Sequence, residues 1–240
     1  MSPKIDFIVA GVQKAGTTAL FDYLSDDPAY GLSRTKEVHF FDDETQNWSE
    51  PDYGAYHAQF DWSRAAIRGE ATPIYIYWPR ALERIAAYNP KIKLIIMLRD
   101  PVERAWSHWR METSRGVEAH SFSWCIREGR RRLFDAAPWG VHREFSYVER
   151  GLYGEQLERA LELFPREQLL VLQAEDLRSR PVDALGAVAQ FLNGPAPAAV
   201  ERREVHVGAD VGAALGLPDR EFLDEIYSAD QRRLAQLLRV

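Results

Sequence analysis

Short apolar runs alternate along the chain with stretches whose apolar residues recur every three or four positions. Phe7-Ile8-Val9-Ala10 reads as a buried strand, and Thr17 to Asp26 as the helix after it, closed by Pro28. Ile67-Arg68-Gly69-Glu70 reads as a short second strand, and Pro79 to Tyr88 as a helix with Leu82, Ile85 and Ala86 on one face. Lys93 to Leu98 is apolar on both faces, which predicts a central strand of a parallel sheet. Asp100-Pro101 then opens a helix, with an acid at the cap and proline in the first turn. Tyr153 to Phe164 places Leu157, Ala160, Leu161 and Phe164 on one face. Gln168 to Leu172 reads as a strand, Val182 to Leu192 and Glu221 to Leu238 as helices, and Asn193 to Ala198 as a Pro/Gly-rich linker. This alternation predicts an α/β three-layer sandwich with a mostly parallel sheet of about four or five strands. Without repeats or low-complexity tracts, a single domain over residues 1–240 is expected.

Composition narrows the field. Hydrophobic residues make up 46% of the 240, enough for one sizeable core. A formal net charge of −6 argues against a global electrostatic grip on nucleic acid. The one cysteine, Cys125, excludes an intramolecular disulfide and a cysteine-based metal site, and is expected to be buried. The first residues lack the charged and apolar regions of a signal peptide. The longest apolar run, Leu94 to Leu98, falls far short of the ~18 residues of a membrane span. A cytoplasmic protein without a membrane partner is therefore expected; oligomeric state stays open.

The chemistry starts where the first strand runs into Gly11-Val12-Gln13-Lys14-Ala15-Gly16-Thr17-Thr18. A glycine-bounded loop between strand and helix aims backbone N–H groups and a helix dipole at an anion, which makes the fold P-loop-like. The two glycines have Walker A spacing, but Walker A sets lysine directly after the second glycine. Thr17 stands there instead, and the lysine lies inside the loop at Lys14. That displacement disfavours a P-loop nucleotide kinase, the nearest alternative class. A non-catalytic nucleotide-binding module is the other alternative.

Lys14-Ala15-Gly16-Thr17-Thr18-Ala19-Leu20 resembles the 5′-phosphosulfate loop of sulfotransferases that use 3′-phosphoadenosine-5′-phosphosulfate, in particular the heparan-sulfate and bacterial branch. Leu94 to Ser107, with Arg99-Asp100-Pro101 and Ser107 eight residues after the arginine, resembles that family's 3′-phosphate site. Arg99 would leave the carboxyl end of a central strand, where open α/β sheets bind ligands. Its planar fork suits a phosphate, and Ser107 can offer a hydroxyl two turns into the helix. Lys36-Glu37-Val38-His39-Phe40-Phe41 resembles a third segment, whose glutamate acts as catalytic base; Glu37 matches that position and His39 a neighbouring histidine. For His39 a packing role and a functional one both stay open.

The resemblance implies an enzyme that moves a sulfuryl group to a hydroxyl or amine of a small-molecule or saccharide acceptor; no metal is expected, because the transferring group bears a single negative charge and protein cations hold the leaving phosphate. It implies Glu37, Lys14 and His39 in catalysis. It implies Lys14, Ala15, Gly16, Thr17, Thr18, Arg99 and Ser107 in donor binding. Two departures stand out. Relatives often carry Glu-Lys-Ser/Thr-Pro where this chain has Glu70-Ala71-Thr72-Pro73, which removes a cation and leaves Glu70 open to an acceptor contact, a Lys14 contact or a structural role. The family's Lys/Arg-Gly-Arg adenosine loop is matched only weakly, by Arg202-Arg203 and Val205-His206-Val207-Gly208. The run Arg127, Arg130, Arg131 and Arg132 reads as a solvated face, with contact to an acidic acceptor as the alternative, and Trp106, Trp109, Trp124 and Trp139 read as core, with the lining of an aromatic acceptor pocket left open.

Overall fold

A computed structural model of the chain describes residues 3–63, 67–136, 143–195 and 214–239. In chain order the elements are β1 (Phe7–Gly11), α1 (Thr17–Ser25), β2 (Tyr30–Leu32), α2 (Tyr53–His57), β3 (Ile67–Ala71), α3 (Ala81–Tyr88) and β4 (Lys93–Leu98). Then come α4 (Pro101–Ser114), α5 (Phe122–Ile126), α6 (Tyr153–Leu163), β5 (Leu169–Gln173), α7 (Ala174–Ser179), α8 (Pro181–Leu192) and α9 (Leu217–Leu237). Arg202-Arg203, Val205 to Gly208 and Trp139 lie outside the described residues.

The five strands form one parallel sheet in the order β2-β3-β1-β4-β5, flanked by helices as the alternation predicts. β1 sits in the middle and is buried along its whole length, which is why Phe-Ile-Val-Ala carries no polar alternation. β4 pairs with β1 on one side and β5 on the other, with Ile95 opposite both Val9 and Leu170. The β1–β4 register slips between Val9 and Gly11. The slip falls where the chain turns out of the sheet into the glycine loop. The edge strand β2 has only three residues and a central glycine, too short to show a period, and the sequence reading passed over it.

The chain divides into two compact units. The first runs through Leu98 and resumes at Leu161; it holds the whole sheet. The second comprises Arg99–Ala160 and the C-terminal stretch with α9. Its core gathers Trp106, Trp109, Phe122, Cys125, Tyr147, Leu223 and Tyr227, with Trp124 packed against it. Cys125 is buried as expected, and burial together with Glu118 pushes its thiol up to about 12. The arginine run is not a freely solvated face: Arg127 pairs with Asp219 at 2.6 Å, Arg130 with Glu149 at 2.8 Å and Arg132 with Glu118 at 2.9 Å. Only Arg131 of the four is widely exposed, against Glu128 at 3.7 Å. No helix among the described residues is long and apolar enough to cross a membrane.

Candidate active site

The central strand delivers the glycine loop. Gly11 must lack a side chain, because a Cβ there would stand 2.4 Å from the Ile76 side chain. Beyond it the Val12 N–H donates to Met97 O of β4 at 2.9 Å, which ties the loop to the neighbouring strand. The Ala15 N–H donates back to Val12 O at 3.2 Å and closes the turn. Gly16, at φ 82, is the N-cap of α1 and offers no capping side chain. The first-turn N–H groups of α1, those of Thr17 and Thr18 foremost, are thereby presented without a capping side chain at the positive end of a helix. Thr17 is buried, and Lys14 and Thr18 are half-buried.

A second segment lies against the end of β3, the neighbour of β1. The Glu37 N–H donates to Ala71 O at 3.0 Å, while Thr72 N–H and Ile76 N–H donate to Val9 O and Ala10 O of β1. The strands are parallel, so the glycine loop and residues 36–42 both belong to the carboxyl ends of adjacent central strands. That is the edge where open α/β sheets bind their ligands.

Residues 36–42 form a short chain of charges. The Lys36 ammonium donates to Glu37 Oε1 at 2.7 Å, Glu37 Oε2 lies 3.6 Å from His39 Nε2, and His39 Nδ1 lies 2.9 Å from Asp42 Oδ2. Asp42 is fully buried, whereas the Glu37 and His39 side chains are 41% and 44% exposed. The hydrogen bond to Asp42, then the pairing with Glu37, raise His39 to about 9 against an opposing desolvation. His39 is thus an imidazolium at neutral pH. Burial pushes Glu37 up, but His39 and Lys36 outweigh it and hold the carboxyl near 2.

The backbone marks the same residues. The described non-glycine residues at positive φ are Lys14 (70°), Glu37 (61°), His39 (55°), Arg80 (65°) and Asn193 (57°). Three of the five are the side chains singled out from sequence for catalysis. A residue with a Cβ stays in this region only where its surroundings hold it there, and such positions gather at functional sites.

Asp42 escaped the sequence reading. Its signal in the sequence is only an acid three residues after His39, directly behind Phe40 and Phe41. Glu70 is fully buried and hydrogen-bonded by the Tyr56 and Thr72 hydroxyls, which fits the structural role among the three the sequence leaves open.

In the second unit Arg99 follows directly on the last residue of β4 and lies 3.8 Å from Glu103. Asp100 caps α4 by accepting from the Glu103 N–H at 2.7 Å, with Pro101 in the first turn, as the sequence predicts. Ser107 is half-buried on α4. Among the described residues no group of three or more His, Cys, Asp or Glu is placed to hold a metal ion.

Comparison with known proteins gives a consistent picture. The sulfotransferase domain family matches residues 4–207. Human heparan sulfate glucosamine 3-O-sulfotransferase 5 is 31% identical over 188 residues, which is 78% of this chain and 53% of that protein. The chain spans about half the length of the curated relatives it matches. A sulfotransferase from Alicyclobacillus acidocaldarius superposes with a TM-score of 0.81 at 27% identity, covering 99% of this chain and 96% of the other. A mouse sulfotransferase complexed with PAP superposes at 0.50 with 15% identity, over 81% of this chain and 60% of that one, a likeness of fold alone.

Proposed function

Because the chain belongs to the sulfotransferase domain family, we propose that it transfers a sulfuryl group from 3′-phosphoadenosine-5′-phosphosulfate to a hydroxyl of a saccharide or saccharide-like acceptor. The observation that carries this reading is the set Lys14, Glu37 and His39 on left-handed backbone, with Glu37, His39 and buried Asp42 linked in series. The saccharide acceptor rests on the heparan sulfate relatives. The family match spans parts of both compact units, which supports one sulfotransferase domain made of the two. Family membership also sets aside the kinase alternative.

In this reading the loop residues Lys14, Ala15, Gly16, Thr17 and Thr18 hold the 5′-phosphosulfate, and Arg99 with Ser107 the 3′-phosphate. Glu37 accepts the proton of the acceptor hydroxyl as its oxygen bonds to sulfur, and the bond from sulfur to the 5′-phosphate oxygen breaks. Lys14 and the helix N-terminus take up the charge released on the leaving phosphate. His39, fixed by Asp42, keeps Glu37 ionised between turnovers. The same pairing makes Glu37 a weak base in the free protein. An acceptor that covers it removes water and strengthens it. Because the loop supplies its own cation, the transfer proceeds without a metal.

Thermal unfolding with 3′-phosphoadenosine 5′-phosphate in EDTA, set against ATP with Mg²⁺, tests the reading. A ligand at 100-fold its Kd adds about 2.7 kcal/mol of apparent stability. Stabilisation by the first nucleotide alone is expected. Stabilisation only by ATP with Mg²⁺ would refute the reading.

A further inference from the structure

The left-handed backbone at Glu37 and His39 needs something to hold it; besides the Arg84 guanidinium, which donates to Phe41 O at 2.9 Å, the described residues show two further ties. One is the bond from the Glu37 N–H to Ala71 O at 3.0 Å. The other is the Tyr75 hydroxyl, which accepts from the N–H groups of Phe40 at 3.0 Å and Phe41 at 3.4 Å. Those two donors lie between His39 and Asp42. Tyr75 is itself fully buried, and its O–H points at Glu70 Oε1 at 3.4 Å.

Glu70 sits at the end of β3, next to Ala71, with no exposed surface. The Tyr56 hydroxyl donates to its Oε1 and the Thr72 hydroxyl to its Oε2, each at 2.6 Å, the length of charge-assisted bonds. A buried carboxylate is costly, and packing alone is served as well by an apolar side chain of the same volume. This one is surrounded by three hydroxyl donors. One of them carries the order onward to the backbone that bears the charge chain.

We propose that Glu70 is a positioning residue for the segment of Glu37, His39 and Asp42, acting through the Tyr75 hydroxyl. The inference rests on the reading of that segment as the reacting one. Burial pushes Glu70 up to about 7, with the bonds from Thr72 and Tyr56 opposing, the Asp42 charge adding and Tyr75 opposing. Tyr88 also feels the Glu70 charge. Once protonated, Glu70 must donate to one hydroxyl where it previously only accepted, and the three donors can no longer all face it.

NMR titration of the His39 ring in the full chain tests this without any acceptor. In the wild type the His39 midpoint is expected to be raised to about 9, because Asp42 and Glu37 flank it. Tyr75→Phe removes only the linking hydroxyl, and Glu70→Gln keeps the shape of the side chain. In both variants the midpoint is expected to fall toward the ordinary histidine value of about 6.5. Binding of 3′-phosphoadenosine 5′-phosphate should not change. Turnover should drop roughly tenfold in kcat for Tyr75→Phe, yet little further when Glu37→Gln is already present, because coupled residues are non-additive. An unmoved His39 midpoint in folded Tyr75→Phe overturns the proposal, as does an equal loss of kcat with and without Glu37. If the wild type moves no sulfuryl group, the functional reading fails, and the His39 titration still decides this inference.

Discussion

Residues 36–42 and the start of α4 are two regions proposed for one reaction, and they are built in opposite ways. Residues 36–42 have no repeating structure. Their shape comes from left-handed backbone at Glu37 and His39 and from ties to β3 and Tyr75. Their charges are paired among themselves: Lys36 to Glu37, Glu37 to His39, His39 to Asp42. The start of α4 is regular, with an Asp100 cap and Pro101, and Arg99 lies 3.8 Å from Glu103. A group that must change its proton during a reaction needs its counter-charges in place beforehand. A group that anchors a ligand needs a firm backbone and a side chain able to turn to the ligand. Damage to the first region should therefore appear in rate, and damage to the second in binding.

The largest effect should come from Glu37→Gln. General-base catalysis is worth about 10²–10⁴-fold, so kcat should fall within that range while 3′-phosphoadenosine 5′-phosphate binds as before. Full kcat in Glu37→Gln, measured under donor saturation, would remove the base from this segment and break the comparison.

Arg99→Ala should come next. A hydrogen bond to a charged group contributes about 1.5–3 kcal/mol, so affinity for the 3′-phosphorylated nucleotide should drop by about one to two decades. Adenosine 5′-phosphosulfate, which lacks the 3′-phosphate, should bind the variant and the wild type alike in calorimetry. An equal loss for both ligands would take the 3′-phosphate away from Arg99.

Asp100→Ala removes the cap seen on the Glu103 N–H and should destabilise by about 1 kcal/mol in urea unfolding. Its His39 titration should match the wild type, since the cap belongs to the anchoring region. A displaced His39 midpoint in this variant would mean that the two regions are not separable.

The smallest effect concerns pH, because the Glu37 and His39 side chains are each about two-fifths exposed and water screens them. His39 is raised from 6.5 to about 9, so its contribution is complete below about pH 6.5 and is lost as pH rises through 9. Glu37 is lowered from 4.5 to about 2, so its contribution is present above about pH 4.5 and is lost on acidification. The two overlap between about pH 4.5 and 6.5. The Tm gap between wild type and His39→Gln should be widest there and close by about pH 10. A gap that stays constant across that range would mean that His39 gains nothing from its partners.

The same contrast explains what could be read from the sequence. The start of α4 was legible because its signals are local: an acid, then proline, then an apolar periodicity. The glycine loop was legible in part for a similar reason, since Gly16 answers the left-handed backbone at the start of α1, whereas Gly11 makes room for the Ile76 side chain far along the chain. The parallel sheet was legible in the apolar β1 and β4, but β2, with three residues, left no period. Residues 36–42 were legible only in part. Glu37 and His39 stood out by resemblance, but Asp42 and the Glu70–Tyr75 network depend on side chains that meet across the fold. The division into two units also left no trace, because its first boundary falls between Leu98 and Arg99, where strand passes into helix without a linker.

Cys125 turns the second unit into its own timekeeper. It is the chain's one thiol, it is buried among Trp106, Trp109 and Phe122, and its proton is held up to about 12. A thiol reagent reacts with the thiolate, and here it meets neither access nor ionisation until this core opens. The rate of labelling of the untouched protein therefore counts openings of the aromatic core around α4, α5 and α9, with no probe to install and no second cysteine to blur the signal.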